Sequence, residues 1–216
     1  MTVQVKICGL CDAASVAAAV EGGARYVGFV FYPKSPRVVD PETAAVLIAS
    51  LPPSVISVGL FVDPTDDELL RVLRIAPLRM IQLHGAETPE RVAALKRLTS
   101  LPVIKAIGIA SRQDILAARL YESTADLLLL DAKSPAGGLP GGNAASFDWS
   151  LLKNEAFARP WLLAGGLTAL NSEAAVAATG ASILDVSSGV EEGVGRKSPA
   201  KIKAFLAQAR KIETCC

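Results

Sequence analysis

WLLAGGLTALNSEAAVAATGASILDVSSGVEEGVG, residues 161–195, is the stretch whose reading decides the fold. It holds two short apolar runs, WLLA and SILDV, each stopping abruptly in small residues: Ala164-Gly165-Gly166 and Ser187-Ser188-Gly189. Between them, residues 171–179 have helical spacing and stop at Gly180. Glycine and serine just past a strand end let backbone N–H groups converge on an anion without Cβ obstruction. Two such turns on neighbouring parallel strands describe the phosphate grip that follows strands 7 and 8 of a (β/α)8 barrel. Gly165, Gly166, Ser187, Ser188 and Gly189 are thus candidate phosphate-binding residues. Asp185, in the second run, is placed either to orient the loop after it or to contact a substrate.

The upstream chain should then hold the other six units. Residues 3–7 alternate as a first strand and end at Cys8-Gly9, and Asp12 is a plausible N-cap for the alanine-rich helix that Gly22-Gly23 close. Further apolar strands read at 26–31, 55–62, 79–84, 101–109 and 125–131. Helical segments separate them, one opened by Pro41, one spanning 66–75, one with Thr88 as cap and Pro89 behind it, and one capped by Ser111. The run 125–131 is almost continuously apolar, as expected of a strand buried on both faces. Residues 133–149 are rich in Pro, Gly, Ser and Asn and read as a long loop; a short helix near 149–154 and a last amphipathic helix near 198–211 complete the pattern.

Strands alternating with helices imply parallel pairing and right-handed crossovers. An open doubly wound sheet predicts the same alternation with about five or six strands; the eight units here favour closure. The expectation is one α/β domain, a single (β/α)8 barrel over residues 1–211, with 212–216 as a flexible tail.

Composition narrows the functional classes. Half of the 216 residues are hydrophobic, enough for a large core, and the net charge of +1 comes without a long basic or acidic run. Neither nucleic acid nor a membrane surface is therefore expected as partner. No apolar segment approaches the roughly 18–20 residues of a membrane span, and the start MTVQVKICG lacks the features of a signal peptide. A cytoplasmic location and free thiols follow as expectations for Cys8, Cys11, Cys215 and Cys216. Cys8-Gly9-Leu10-Cys11 also matches a thiol–disulfide oxidoreductase motif, but that reading predicts a smaller fold and leaves the phosphate turns unexplained. A zinc site from the four cysteines would need the tail to reach the barrel mouth, so no metal is expected.

In a (β/α)8 barrel the chemistry sits at the C-terminal strand ends. Those positions are Cys8, the Arg37 loop, Asp63, His84, Lys105, Asp131, Gly165-Gly166 and the run from Asp185 to Gly189. Cys8 reads as a base, if its surroundings favour thiolate, or as a small buried hydrophobe. Lys6, two residues back, shares its strand face. Asp131 ends the most apolar strand, where a carboxyl can stay protonated as a general acid or can cap the following loop. Arg37 lies in a proline-stiffened loop, and its planar guanidinium suits a carboxylate or phosphate as well as plain solvation. His84, the single histidine, reads first as a hydrogen-bonded strand-end residue, and Asp63 before Pro64 as a turn residue.

Taken together, VKICGL (5–10), GARYVGFVFYPKSPR (23–37), VGLFVD (58–63), IQLHG (81–85), VIKAIGI (103–109), LLLD (128–131), FDW (147–149), LAGGL (163–167) and DVSSGVE (185–191) resemble the phosphoribosylanthranilate isomerase family of tryptophan biosynthesis. The resemblance implies an Amadori rearrangement of N-(5-phosphoribosyl)anthranilate without cofactor or metal. It assigns Asp131 as the acid that protonates the ring oxygen and Cys8 as the base that removes the C2 proton. It gives Arg37 to the anthranilate portion, the backbone at Gly165-Gly166 and Ser188-Gly189 to the phosphate, and leaves His84 a further candidate. Two departures stand out: Cys11 where the family more usually has Thr, and Asn143-Ala144-Ala145 where another glycine is common. Phosphoribosyl isomerases of histidine synthesis have a similar scaffold but a pattern of paired aspartates, which the cysteine at strand one disfavours. Ordinary charged outer helix faces suggest a monomer.

Overall fold

The computed structural model describes residues 2–133 and 147–213. Eight parallel strands close into a barrel in chain order: β1 (Gln4–Cys8), β2 (Tyr26–Val30), β3 (Ile56–Phe61), β4 (Met80–Leu83), β5 (Val103–Ile109), β6 (Leu127–Ala132), β7 (Trp161–Leu163) and β8 (Ile183–Val186). The closing pair is β1 with β8, in the register Lys6 opposite Asp185. Helices α1 (Ala13–Glu21), α2 (Pro41–Ala49), α3 (Asp66–Ile75), α4 (Pro89–Thr99), α5 (Arg112–Arg119), α6 (Ser172–Thr179) and α7 (Pro199–Ala209) lie between or after the strands.

Strand alternation divides the core in two. Inward residues Tyr26, Val58, Met80, Ile104, Ala106, Leu129, Leu162, Ala164 and Ile183 fill the barrel, while their neighbours along the strands face the helices and form the larger outer core. The strands are apolar throughout because both faces are buried. The helices start where the sequence can satisfy their free N–H groups. Side chains of Asp12, Asp40, Thr65 and Thr88 each accept a backbone N–H of the first turn.

The barrel and its order are as the sequence implies, with three local differences. Between β6 and β7 no α-helix stands among the described residues; the short helix there, Trp149–Leu152, is one 3-10 turn. Asp148 caps it, and Asn154, at φ 62°, turns the chain out of helical geometry just after it. Residues 191–197 form an unexpected hairpin, β9 (Glu191–Gly193) against β10 (Arg196–Lys197), turned at Gly195 with φ 76°. Beyond α7, Ile212 is buried and Glu213 bridges to Thr2, so packing continues past residue 211. Asn143-Ala144-Ala145 and Cys215-Cys216 lie outside the described residues.

Lys105 does not face the mouth. It alternates with the inward Ile104 and Ala106, so it points to the helical layer. There its Nζ donates to Glu87 Oε2 (2.8 Å) and to the Gly85 carbonyl (2.8 Å). Glu87 also accepts the N–H groups of Asp63 and Gly85, while Asp63 accepts that of Ala86. This fully buried pair ties the loops after β3 and β4 together, immediately beside His84. Asp63 thus holds a turn, at φ 46°. Glu87→Ala would leave Lys105 an uncompensated buried cation and should lower unfolding free energy by about 3–5 kcal/mol. Urea unfolding checks this, and a loss below about 1 kcal/mol would show the pair to be mere surface-like decoration.

Candidate active site

Cys8 closes β1 on its inward face and is 4 % exposed. Gly28 of β2 stands opposite it. A Cβ at Gly28 would lie 3.1 Å from Cys8 Sγ and 3.3 Å from Lys6 Nζ, so the absent side chain makes the room both groups occupy. Lys6 is fully buried, and its ammonium donates to Asp185 Oδ1 at 2.8 Å. Desolvation alone would drive a proton off Lys6, but Asp185 and the adjacent Cys8 outweigh it and the ammonium is pushed up to about 12. Burial raises the Cys8 thiol above its ordinary value; Lys6 and Lys197 pull against that, and Asp185 adds to it.

On the far side of the mouth stands Asp131, at the inward end of β6. Its Oδ1 accepts the N–H of Ala132 at 2.8 Å, and its Oδ2 lies 3.5 Å from His84 Nε2. The other ring nitrogen, His84 Nδ1, is 3.0 Å from Gln82 Nε2. Gln82 is fully buried inside the barrel, and its Oε1 has no hydrogen-bond partner among the described residues. The chain Gln82–His84–Asp131 therefore runs across β4 to β6.

A third group clusters over β1, β2 and β8. Arg37 donates through Nε to Glu191 Oε1 (2.7 Å) and through a terminal nitrogen to Glu191 Oε2 (3.0 Å). Lys197 donates to Glu191 Oε1 (2.7 Å), to the Ser187 carbonyl (2.9 Å) and to Ser187 Oγ (3.0 Å). Ser187 Oγ in turn donates to the Cys8 carbonyl at 3.1 Å. Desolvation would raise the Glu191 carboxyl, but hydrogen bonds from Arg37 and Lys197 hold it below the usual range. Burial lowers the Lys197 ammonium, with Glu191 opposing.

The two small-residue turns meet as the opening stretch implies. Gly165 and Gly166 have φ 90° and 62°, and a Cβ at Gly165 would sit 3.3 Å from Asp131 Oδ1. A Cβ at Gly189 would fall 1.9 Å from the Leu167 carbonyl oxygen, so the two turns touch through a glycine that nothing larger can replace without moving backbone. Ser188–Val190 form a single 3-10 turn beside them.

The structure thus brings Cys8, Asp185, Ser187 and Arg37 together on one side, and Asp131, His84 and Gly165 on the other. Residue-type reasoning did not single out Gln82, Glu191 or Lys197. Gln82 alternates with His84 in QLH, and Glu191 ends the quoted DVSSGVE, so both carried a signal. Lys197 carried none, since only the hairpin folds it back onto Ser187.

Comparison with known proteins agrees with this geometry. A family model for N-(5'phosphoribosyl)anthranilate (PRA) isomerase matches residues 5–208. A Paracoccus denitrificans protein named N-(5'-phosphoribosyl)anthranilate isomerase is 57% identical over 210 residues, covering 97% of this chain and 98% of that one. A crystal structure of a phosphoribosyl anthranilate isomerase in complex with reduced 1-(o-carboxyphenylamino)-1-deoxyribulose 5-phosphate superposes with TM-score 0.83. That protein is 37% identical, and the match covers 97% of this chain and 100% of that one. A structure of generated monomers of the dimeric Thermotoga maritima enzyme gives TM-score 0.82 at 36% identity, again over 97% and 100%.

The Glu191 cluster predicts a pH dependence of stability. A carboxyl whose folded pKa is depressed stabilises the fold above its unfolded value, 4.5, and loses that contribution as pH falls through the folded value. Glu191→Gln should therefore cost about 1–3 kcal/mol near neutrality. The gap from wild type should close as the solution is acidified below about pH 4. Urea unfolding across that range checks it, and a gap that stays constant would contradict the linkage.

Proposed function

The chain belongs to the N-(5'-phosphoribosyl)anthranilate isomerase family, and from that premise we propose how its barrel mouth carries the reaction. The enzyme is an isomerase of tryptophan biosynthesis, converting N-(5-phosphoribosyl)anthranilate to 1-(2-carboxyphenylamino)-1-deoxyribulose 5-phosphate. The observation that carries the residue assignment is the pairing of an inward thiol on β1 with an inward carboxyl on β6, facing each other over one apolar barrel floor.

Asp131 is the general acid. Its proton passes to the furanose ring oxygen as the bond from C1 to that oxygen breaks, and the anilino nitrogen lone pair closes a C1=N iminium. The iminium acidifies C2, whose proton passes to the Cys8 thiolate while the electron pair moves to the nitrogen. The resulting enolamine ketonises to product. Only protons move, so the chemistry calls for neither a redox cofactor nor a metal.

The contacts around Asp131 support one placement of its proton. Ala132 N–H occupies Oδ1, so the acidic proton belongs on Oδ2, facing His84 Nε2. For Nε2 to accept, His84 must carry its hydrogen on Nδ1. Turning the Gln82 amide about its last bond puts the unpartnered Oε1 where it can receive that hydrogen. His84 and Gln82 are then positioning residues for the acid, the tautomer being set by the amide.

Arg37, held flat by Glu191, is placed to bind the anthranilate carboxylate, for which a planar fork suits better than a lysine point charge. The touching turns at Gly165-Gly166 and Ser187–Gly189 take the phosphate, whose binding energy orients the sugar remote from it, while Asp185 orients the loop after it or contacts the substrate. The phosphorylated sugar–anthranilate is the partner of this site; among the described residues no helix is long and apolar enough to cross a membrane. We place the protein in the cytoplasm as a monomer of one barrel domain.

Each proton-transfer group is typically worth about 10²–10⁴-fold. Cys8→Ala and Asp131→Asn should each lower kcat/KM by that order with little change in fold. A steady-state assay following loss of substrate fluorescence checks both. Near-wild-type turnover in Cys8→Ala would move the base elsewhere, with Cys11 next to test. Sedimentation at assay concentration should give one chain per particle, whereas a two-chain mass would align this protein with the dimeric Thermotoga maritima enzyme.

A further inference from the structure

The inside of the barrel is apolar wherever the chemistry does not need it otherwise, and packing layers of such residues suffice to hold a (β/α)8 barrel together. Lys6 breaks that pattern. It is fully buried, opposite Asp185 across the β1–β8 seam, one inward position below Cys8. Its neighbour across β2 on the thiol side is Gly28, and the absent Cβ lets the ammonium and the sulfur approach each other; a methyl there would be in tight contact with both. The Lys6 ammonium and the Cys8 sulfur thus lie against the same glycine, 3.3 and 3.1 Å from where its Cβ would stand, while the ammonium donates to Asp185 Oδ1 at 2.8 Å.

We propose that Lys6, clamped by Asp185 beneath Cys8, is the fixed counter-charge of the Cys8 thiolate and thus a positioning residue for the proton transfer from C2. The assignment rests on the reading of Cys8 as the base. Burying a thiol favours its neutral form, so a desolvated Cys8 without a nearby cation would hold its proton and be useless as a base. Burying a lysine likewise favours its neutral form. Asp185, bonded to the ammonium at 2.8 Å, is the largest influence opposing that and keeps the ammonium charged. Lys6 therefore gives up no proton in the cycle; the thiol loses its proton to solvent before substrate closes the mouth, then regains one from C2. The other charged groups facing the sulfur are Asp185 itself, which opposes the thiolate, and Lys197 on β10, which supports it from farther off and is shared with Glu191. Lys6 and Lys197 thus draw the thiol toward thiolate against Asp185 and against burial, which still holds it above its ordinary value.

The test reads the thiol directly. In a background with Cys11, Cys215 and Cys216 changed to Ser, Cys8 is the single cysteine, and ultraviolet thiolate absorbance against pH, less that of Cys8→Ala in the same background, titrates it. Lys6→Met leaves Asp185 unpaired and is liable to unfold, so Lys6→Met/Asp185→Asn, which neutralises the pair at nearly constant shape, is measured beside it, with Lys6→Arg as the conservative variant. The Cys8 midpoint should rise by at least about one pH unit in the neutral-pair variant, about tenfold less thiolate near neutrality. The rising limb of kcat/KM should move by the same amount, and Lys6→Arg should restore most of both. A folded neutral-pair variant with an unmoved Cys8 midpoint overturns the role of Lys6. A moved midpoint with an unmoved kcat/KM profile overturns instead the assignment of Cys8 as base.

Discussion

The ion pair between Lys6 and Asp185 sits on the seam where the last strand closes onto the first. Closure fixes the register of β1 against β8, and that register sets the two opposite charges side by side in the barrel interior. A slip of β1 by one residue would turn Lys6 toward the helices, drive Val5 or Ile7 inward and leave Asp185 facing the interior alone. Each charge would then be buried without its partner, which costs far more than the pair returns when made. The pair is therefore weak as a source of stability and strong as a condition on register. Since Cys8 lies two residues along β1 from Lys6, and Ser187 two along β8 from Asp185, the same condition aims the mouth.

The remaining buried charges follow one plan. Glu87 and Lys105 join the loops after β3 and β4 from the helical side, while Glu191 joins the Arg37 loop to the hairpin carrying Lys197. Both are carboxylates that collect donors from more than one loop. Loops on a barrel rim have little apolar surface with which to hold themselves, so a satisfied carboxylate supplies the geometry that packing supplies lower down. The barrel floor, by contrast, is filled by Tyr26, Val58, Met80, Ile104, Leu129 and Leu162, and carries no ion pair among these residues. The polar half holds the chemistry, and the apolar half holds the strands.

How much of this was legible in the residues differs from place to place for physical reasons. The eight strands were legible because burial on both faces leaves runs such as Leu127–Leu130 with no polar residue to confuse the reading. Helix starts at Asp12, Thr65 and Thr88 were marked by side chains that satisfy backbone donors locally. The short helix near 149–154 is a single 3-10 turn over Trp149–Leu152, ended where the left-handed Asn154 turns the chain, which composition does not mark. In the site, strand-end position pointed to Cys8, His84 and Asp131, since topology alone puts such residues at the mouth. It pointed equally to Lys105, which the pleat turns the other way. Lys197 could not be found, because its place depends on a hairpin whose only local mark is Gly195.

A last regularity links the groups proposed to bear the chemistry. Cys8 and Lys6 lie against Gly28, Arg37 packs its aliphatic stem on Gly9, and Asp131 lies beside Gly165. In each case a Cβ at the glycine would press on the functional side chain, at 3.1 Å from the sulfur, 2.8 Å from Arg37 Cδ and 3.3 Å from Asp131 Oδ1. A barrel interior packed to crystal-like density has no spare volume for a side chain that must also meet a substrate. The room is made by removing a neighbouring side chain altogether, which costs local packing but leaves the backbone register untouched. Gly28 belongs to β2, away from any turn, and sits in the middle of an otherwise apolar strand, where propensity would favour a branched residue. Its presence there is explained by the thiol and ammonium it accommodates and not by the strand it belongs to.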